Sequence, residues 1–413
     1  GSVVDRVIDQ DRRTGTDSII TIPLIGWTPK SRVPNHPFDC GFKVSKYGGQ
    51  QYTDNWDPDC GNGVKPDGQV LTGNDPRDTS EPITPAFGEE WLQHLTGKYG
   101  LASEGGVQFY SLDNEPMLWS HTHRDVHPEP VTYAELRDRT YAYAAMVKKI
   151  DPGAQTLGPV VWGWCAYFYS AADDCQPGMD HLSHGGVGLV EWYLSQMRAY
   201  EEKHGQRILD YLDLHIYPQA QGVYGGAGSP ATQELRLRST RALWDPDYRD
   251  ESWIDQPIYL IPRMRAWVEQ NYPGTRLAIT EYNWGATDHI SGALAQADIL
   301  GIFGREGLDL ATFWAAPGAM DPVTFAFRMY RNYDGQGNAF GETGVQAASA
   351  DPDRLAIYAA QRESDSALTV MVINKTRQAQ ETSLAIAGLP GAAAARVYRY
   401  SPEDLGAILR QPD

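Results

Sequence analysis

The sequence lacks what nucleic-acid and membrane proteins need. It has 35 Lys and Arg against 53 Asp and Glu, a formal net charge of -18. No basic face is therefore expected for phosphates or anionic lipid. No apolar run approaches the ~18 residues that would span a bilayer, and no charged-then-apolar leader opens the chain. It has no CxxC and no Cys/His cluster, which argues against a zinc site built on cysteine. No repeat of 20–50 residues and no low-complexity tract is present. Disorder is excluded by the 41% hydrophobic and 11% aromatic content. At 413 residues the chain exceeds the ~250–300 at which one core stops growing, so a large domain with a smaller one is expected.

Four cysteines form two local pairs, Cys40/Cys60 and Cys165/Cys175, each in a Gly/Pro/Asp-rich loop. Even-numbered loop cysteines are how secreted proteins staple long surface segments, so two disulfides and an extracellular location are the expectation. Four free thiols in a cytosolic enzyme are the alternative.

Apolar runs read as buried strands over Ser18–Ile25, Val107–Leu112, Thr156–Val161, Tyr211–Ile216, Leu277–Thr280 and Asp309–Trp314. Amphipathic stretches between them predict helices over Val3–Arg13, Thr84–Tyr99, Tyr133–Ile150, Gly188–His204, Ile258–Asn271 and Ala293–Arg305, with Asp151-Pro152-Gly153 as a clear stop. Such alternation means parallel strands joined by crossover helices. Near the C-terminus the pattern changes to short alternating strands over Leu355–Gln361, Leu368–Lys375, Glu381–Ile386 and Arg396–Tyr400, a small antiparallel domain. Residues 222–228 read as one flexible Gly-rich loop.

In parallel α/β folds functional side chains gather beyond the carboxyl ends of the strands. Those ends carry Trp27; Asn114, Glu115 and Trp119; Trp162 and Trp164; His215 and Tyr217; Glu281 and Trp284; and Trp314. Two carboxylates among flat aromatic faces are the minimum equipment of a glycosidase. A lone strand-end Glu is more often a cap or an ion-pair partner, and a Trp in an apolar run is usually core. Recurrence at successive strand ends favours the functional reading.

The arrangement resembles the (β/α)8 retaining glycosidases. The segments TIPLIGWTPK (21–30), YSLDNEPMLWSHTHRDVHPEPVTYAEL (110–136), DLHIYPQ (213–219), AITEYNWG (278–285) and RMYRNYDGQGNAFGETGV (328–345) resemble glycoside hydrolase family 44. The resemblance implies a TIM-like (β/α)8 barrel over 1–345 and a β-sandwich over 346–413. It also implies that the first two barrel strands and the last sandwich strand have no counterpart in this chain. Glu115 matches the acid/base, Glu281 the nucleophile, and Asn114 the residue that binds the sugar 2-hydroxyl. Tyr217, Trp284 and Trp314 fall where the family lines its cleft; Trp27, Trp119 and His215 complete the substrate-binding set. The implied activity is a retaining endo-β-1,4-glucanase on cellulose-like and xyloglucan-like chains, working as a monomer with no cofactor for catalysis.

Double displacement requires Glu115 protonated at the first step and Glu281 ionised, the latter among donors such as Asn114, His215 or Tyr217. The carboxyls must lie ~5–5.5 Å apart. A second site is expected in the acidic loop Tyr52–Glu81. There Asp59, Asp75 and Asp78 are the candidate ligands of the structural calcium that the resemblance implies, against the plainer reading of a solvated acidic loop. Two other functions compete: a xylanase or mannanase using the same two Glu, and a non-catalytic carbohydrate-binding protein, which would not need both glutamates.

Overall fold

The computed structural model describes residues 2–30, 39–388 and 395–412. Six parallel strands carry the fold: β1 (Ile19–Ile22), β2 (Phe109–Leu112), β3 (Gln155–Val161), β4 (Tyr211–Ile216), β5 (Arg276–Tyr282) and β6 (Leu310–Phe313). Their order in the sheet follows their order in the chain, as successive right-handed crossovers require. Helix α1 (Val3–Thr14) leads into β1, and five long helices lie in the crossovers: α2 (Pro85–Tyr99), α3 (Tyr133–Ile150), α4 (Leu189–His204), α5 (Leu260–Asn271) and α6 (Ile290–Glu306). This is the strand–helix pattern of a TIM-like barrel.

The chain divides into two compact units, one of residues 1–215 with 267–278, the other of 216–266 with 279–413. In the first, β1 pairs with β2 from Ile19↔Phe109 to Ile22↔Leu112, and β2 with β3 from Phe109↔Gln155 to Ser111↔Leu157. Every residue of β4 is buried, as strands of parallel sheets covered on both faces are. Helix α3 starts where the Thr132 hydroxyl accepts from the Glu135 N–H, a side-chain N-cap. Asp151 follows its last turn, and its carboxylate accepts from Ala102 N at 2.8 Å.

In the second unit, β7 (Thr343–Val345), β8 (Leu355–Gln361) and β9 (Leu368–Asn374) form an antiparallel sheet, and β10 (Tyr398–Ser401) pairs with β11 (Asp404–Arg410) as a separate one. A buried ionic knot ties β8 and β9 to α6. Lys375 Nζ lies 2.7 Å from Asp298 Oδ2, while Tyr358 and Thr240 hydroxyls each donate to Asp298 at 2.7 Å. Gly301 faces the Tyr358 ring so closely that a Cβ there would lie 2.2 Å from it.

Two sequence expectations fail here. Residues 381–386 form no strand; Leu384 and Ile386 are 53% and 42% exposed, since apolar alternation makes a strand only where a neighbouring strand pairs with it. Residues 222–228 are not a slack loop, for they wrap a buried guanidinium, that of Arg236.

Candidate active site

In the first unit the chain leaves β2 through a tight turn. Asp113 and Glu115 both adopt positive φ, 71° and 50°, a conformation that costs non-glycine residues energy unless their surroundings hold it. The holding group is Asp113. Its buried carboxylate accepts from Leu24 N at 2.5 Å, Asn114 N at 2.8 Å and Trp119 Nε1 at 3.1 Å. Burial pushes its pKa upward, and those three donors oppose the rise. Glu115 N then donates to the Val160 carbonyl at the end of β3, 2.9 Å away. The turn thus leaves Glu115 partly exposed with Oε1 2.9 Å from His215 Nδ1, where His215 is wholly buried in β4.

In the second unit, Glu281 lies near the end of β5. The Tyr217 hydroxyl donates to its Oε2 at 2.9 Å. Asn283, nearly buried, donates to the Trp314 carbonyl at 2.7 Å and accepts from Gly285 N at 2.7 Å. It thereby ties the ends of β5 and β6. Trp314 is 54% exposed, its ring available to a ligand.

The sequence-derived binding set divides. Asn114 is exposed, and Trp27 and Tyr217 are partly exposed, the Trp27 ring lying 5.8 Å beneath the Arg77 guanidinium. Three residues depart from the expectation that they contact sugar. Trp284 is 2% exposed, and its Nε1 donates to Ser239 Oγ at 3.0 Å. Trp119 is equally buried and spends its Nε1 on Asp113. His215, at 0%, reaches Glu115 rather than solvent. Each ring has a polar partner that holds it inward, six residues away for Trp119, 45 for Trp284 and 100 for His215. Asp113 and Asn283 were missed, although both flank a strand-end Glu in the sequence and that adjacency was the available signal.

Outside this region, Cys40 is bonded to Cys60 and Cys165 to Cys175, with Cα atoms 5.4 and 4.9 Å apart, ordinary disulfide spacings. In the acidic loop each of the three candidate calcium ligands accepts from a protein donor. Asp59 accepts from Ser45 N and Oγ at 2.6 and 2.8 Å, which lowers its pKa. Asp75 accepts from Arg77 N at 2.9 Å, and Asp78 pairs with Lys46. Among the described residues these three carboxylates form no cluster of three ligand side chains.

The profile of glycoside hydrolase family 44 matches residues 2–220. Endoglucanase A of Paenibacillus lautus is 36% identical over 394 residues, covering 91% of this chain and 52% of that protein. Beta-mannanase/endoglucanase A of Caldicellulosiruptor saccharolyticus is 35% identical over 342 residues, 76% of this chain and 25% of that protein. The chain therefore spans about half, or a quarter, of these curated relatives. Among solved structures, CelM2, a bifunctional glucanase-xylanase from a metagenome library, shares 47% identity at a TM-score of 0.87, covering 91% of this chain and 73% of its own. A family 44 xyloglucanase of Paenibacillus polymyxa shares 31% at 0.78, covering 99% and 78%. Half the chain matches the profile, and these relatives are 31–47% identical to it over stretches that cover most of its length. On that ground the chain belongs to glycoside hydrolase family 44.

Proposed function

We propose that the protein is a retaining endo-acting glycoside hydrolase that cleaves β-1,4-glucan chains, cellulose-like and xyloglucan-like, by double displacement. Glu281 is the nucleophile and Glu115 the acid/base. The supporting observation is a pair of hydrogen bonds from one strand end: His215 holds Glu115, and Tyr217, two residues on, holds Glu281. In the first step the Glu281 carboxylate attacks the anomeric carbon. The bond to the leaving oxygen breaks as Glu115 gives that oxygen its proton. In the second step Glu115, now a carboxylate, takes a proton from water. The resulting hydroxide displaces Glu281 and frees the sugar with retained configuration. Asn114 binds the 2-hydroxyl, and Trp27 and Trp314 offer faces to neighbouring sugar rings.

The names of two relatives, a glucanase-xylanase and a mannanase/endoglucanase, support a second reading, a xylanase or mannanase using the same two Glu. Two disulfides fit an oxidising, extracellular setting. The net charge of -18 fits a neutral polysaccharide partner and disfavours nucleic acid. Among the described residues no helix is long and apolar enough to cross a membrane. Reducing-sugar release from carboxymethylcellulose, xyloglucan, xylan and mannan, measured side by side, tests the proposal. The greatest release is expected from the two glucans. Release from xylan or mannan alone would replace it with the second reading, and no release from any would overturn both.

A further inference from the structure

Arg236 has its side chain wholly shut off from solvent, and among the described residues no carboxylate pairs with it. Isolated buried charge is costly unless every donor is satisfied, and here most of the acceptors come from one loop. Nε donates to the carbonyls of Val223 and Trp284 at 3.1 and 3.0 Å. Nη2 reaches Val223 O at 2.9 Å and Gly226 O at 2.7 Å. Nη1 reaches Ala227 O at 3.2 Å and Ser291 Oγ at 2.8 Å. The five donors of a planar guanidinium thus read the curvature of residues 223–227, a geometry that the point charge of lysine cannot reproduce.

The loop is also pressed onto the segment after Glu281. Ala286 N donates to Gly225 O at 2.8 Å. Gly285, at φ 74°, passes so near that a Cβ there would lie 2.3 Å from Tyr224 O. Only glycine fits. On this fixed backbone Tyr224 projects half-exposed, its ring perpendicular to that of Tyr217 with centroids 5.3 Å apart. Tyr217 is the residue whose hydroxyl holds Glu281. An exposed aromatic on an immobilised loop, one ring away from the carboxylate, has little ordering entropy left to lose when a ligand stacks on it.

We propose that residues 222–228 form a rigid ledge that presents Tyr224 as a substrate-contacting residue, stacking on the sugar ring bound beside Glu281. The inference rests on the reading of Glu281 as nucleophile and adds a specificity contact to it. Stacking depends on the ring face and not on the hydroxyl. Steady-state kinetics on an aryl cellotrioside are therefore expected to show KM raised about three- to tenfold by Tyr224→Ala and within about twofold of the parent for Tyr224→Phe. Because Tyr224 is half-exposed, Tyr224→Ala is expected to fold. A thermal transition near the parent's checks this. Limited proteolysis of the parent is expected to leave 222–228 uncut. A KM unchanged in Tyr224→Ala, or an equal rise in Tyr224→Phe, overturns the contact, and ready cleavage within 222–228 overturns the ledge. Failure of the underlying reading is seen separately. A 2-deoxy-2-fluoro glycoside should label Glu281 covalently in both parent and Tyr224→Ala, and a label elsewhere would displace the nucleophile assignment whatever KM does.

Discussion

The Nδ1 of His215, a residue sealed within β4, lies 2.9 Å from the Oε1 of Glu115 at the end of β2. That contact turns a buried histidine from a substrate-binding candidate into a support for Glu115, the proposed acid/base. It also accounts for an ionisable ring in a strand whose six residues are all buried. Asp113 completes the support from the other side by holding the turn in which Glu115 stands.

The nucleophile is tested by Glu281→Gln. The amide keeps the shape but cannot form the glycosyl-enzyme, so turnover is expected to fall at least ~10³-fold. Binding of a cello-oligosaccharide, followed by calorimetry, should remain within a few fold. Residual activity near the parent's would remove Glu281 from the role.

Glu115→Ala is expected to behave differently. Loss of general acid help should cost ~10²–10⁴-fold on an unactivated glucan. An aryl glycoside with a good leaving group needs no proton and should still form the intermediate. Added azide should then release it as the glycosyl azide. Equal losses on both substrates, with no azide product, would make Glu115 structural only.

The Asp298–Lys375 pair is a stability prediction. Both side chains are almost wholly buried, 2.7 Å apart. Lys375→Met leaves Asp298 charged and unpaired against Tyr358 and Thr240, and is expected to cost ~3–5 kcal/mol. Tyr358→Phe removes one hydrogen bond to the same carboxylate and should cost ~1.5–3 kcal/mol. Denaturant unfolding gives both values, and a Lys375→Met loss below that of Tyr358→Phe would contradict the ionic knot.

Acid sensitivity should involve Asp5. The Ser2 N–H, 2.8 Å from its Oδ2, and then His94 and Lys98 hold its carboxyl well below the usual range, while burial opposes them. A depressed native pKa means the unfolded chain binds the proton more readily. The stabilisation is therefore present above the ordinary aspartate range and is lost as pH falls toward the native value. Asp5→Asn is expected to lower the melting temperature at pH 7 and to flatten its decline in acid. Parallel Tm–pH curves would refute the linkage.

Much of the fold was legible in the sequence because its signals are local. Helix α3 and strand β4 begin and end where periodicity and the Asp151-Pro152-Gly153 stop place them. What failed depended on a partner. Residues 381–386 alternate like a strand yet form none, and β11 was missed although its neighbour β10 was expected.

The candidate site divides in the same way. Sequence alone determined that two glutamates stand at strand ends among aromatic residues, because strand-end position and residue type are properties of a short segment. Which aromatic rings face a ligand was decided only by the tertiary structure. Trp284 and Trp314 occupy equivalent places after successive strands, yet one is buried against Ser239 and the other is exposed. The reason is the cost of an unpaired indole N–H in an apolar interior: Ser239, 45 residues before Trp284, makes the buried position favourable, and no local sequence pattern records that.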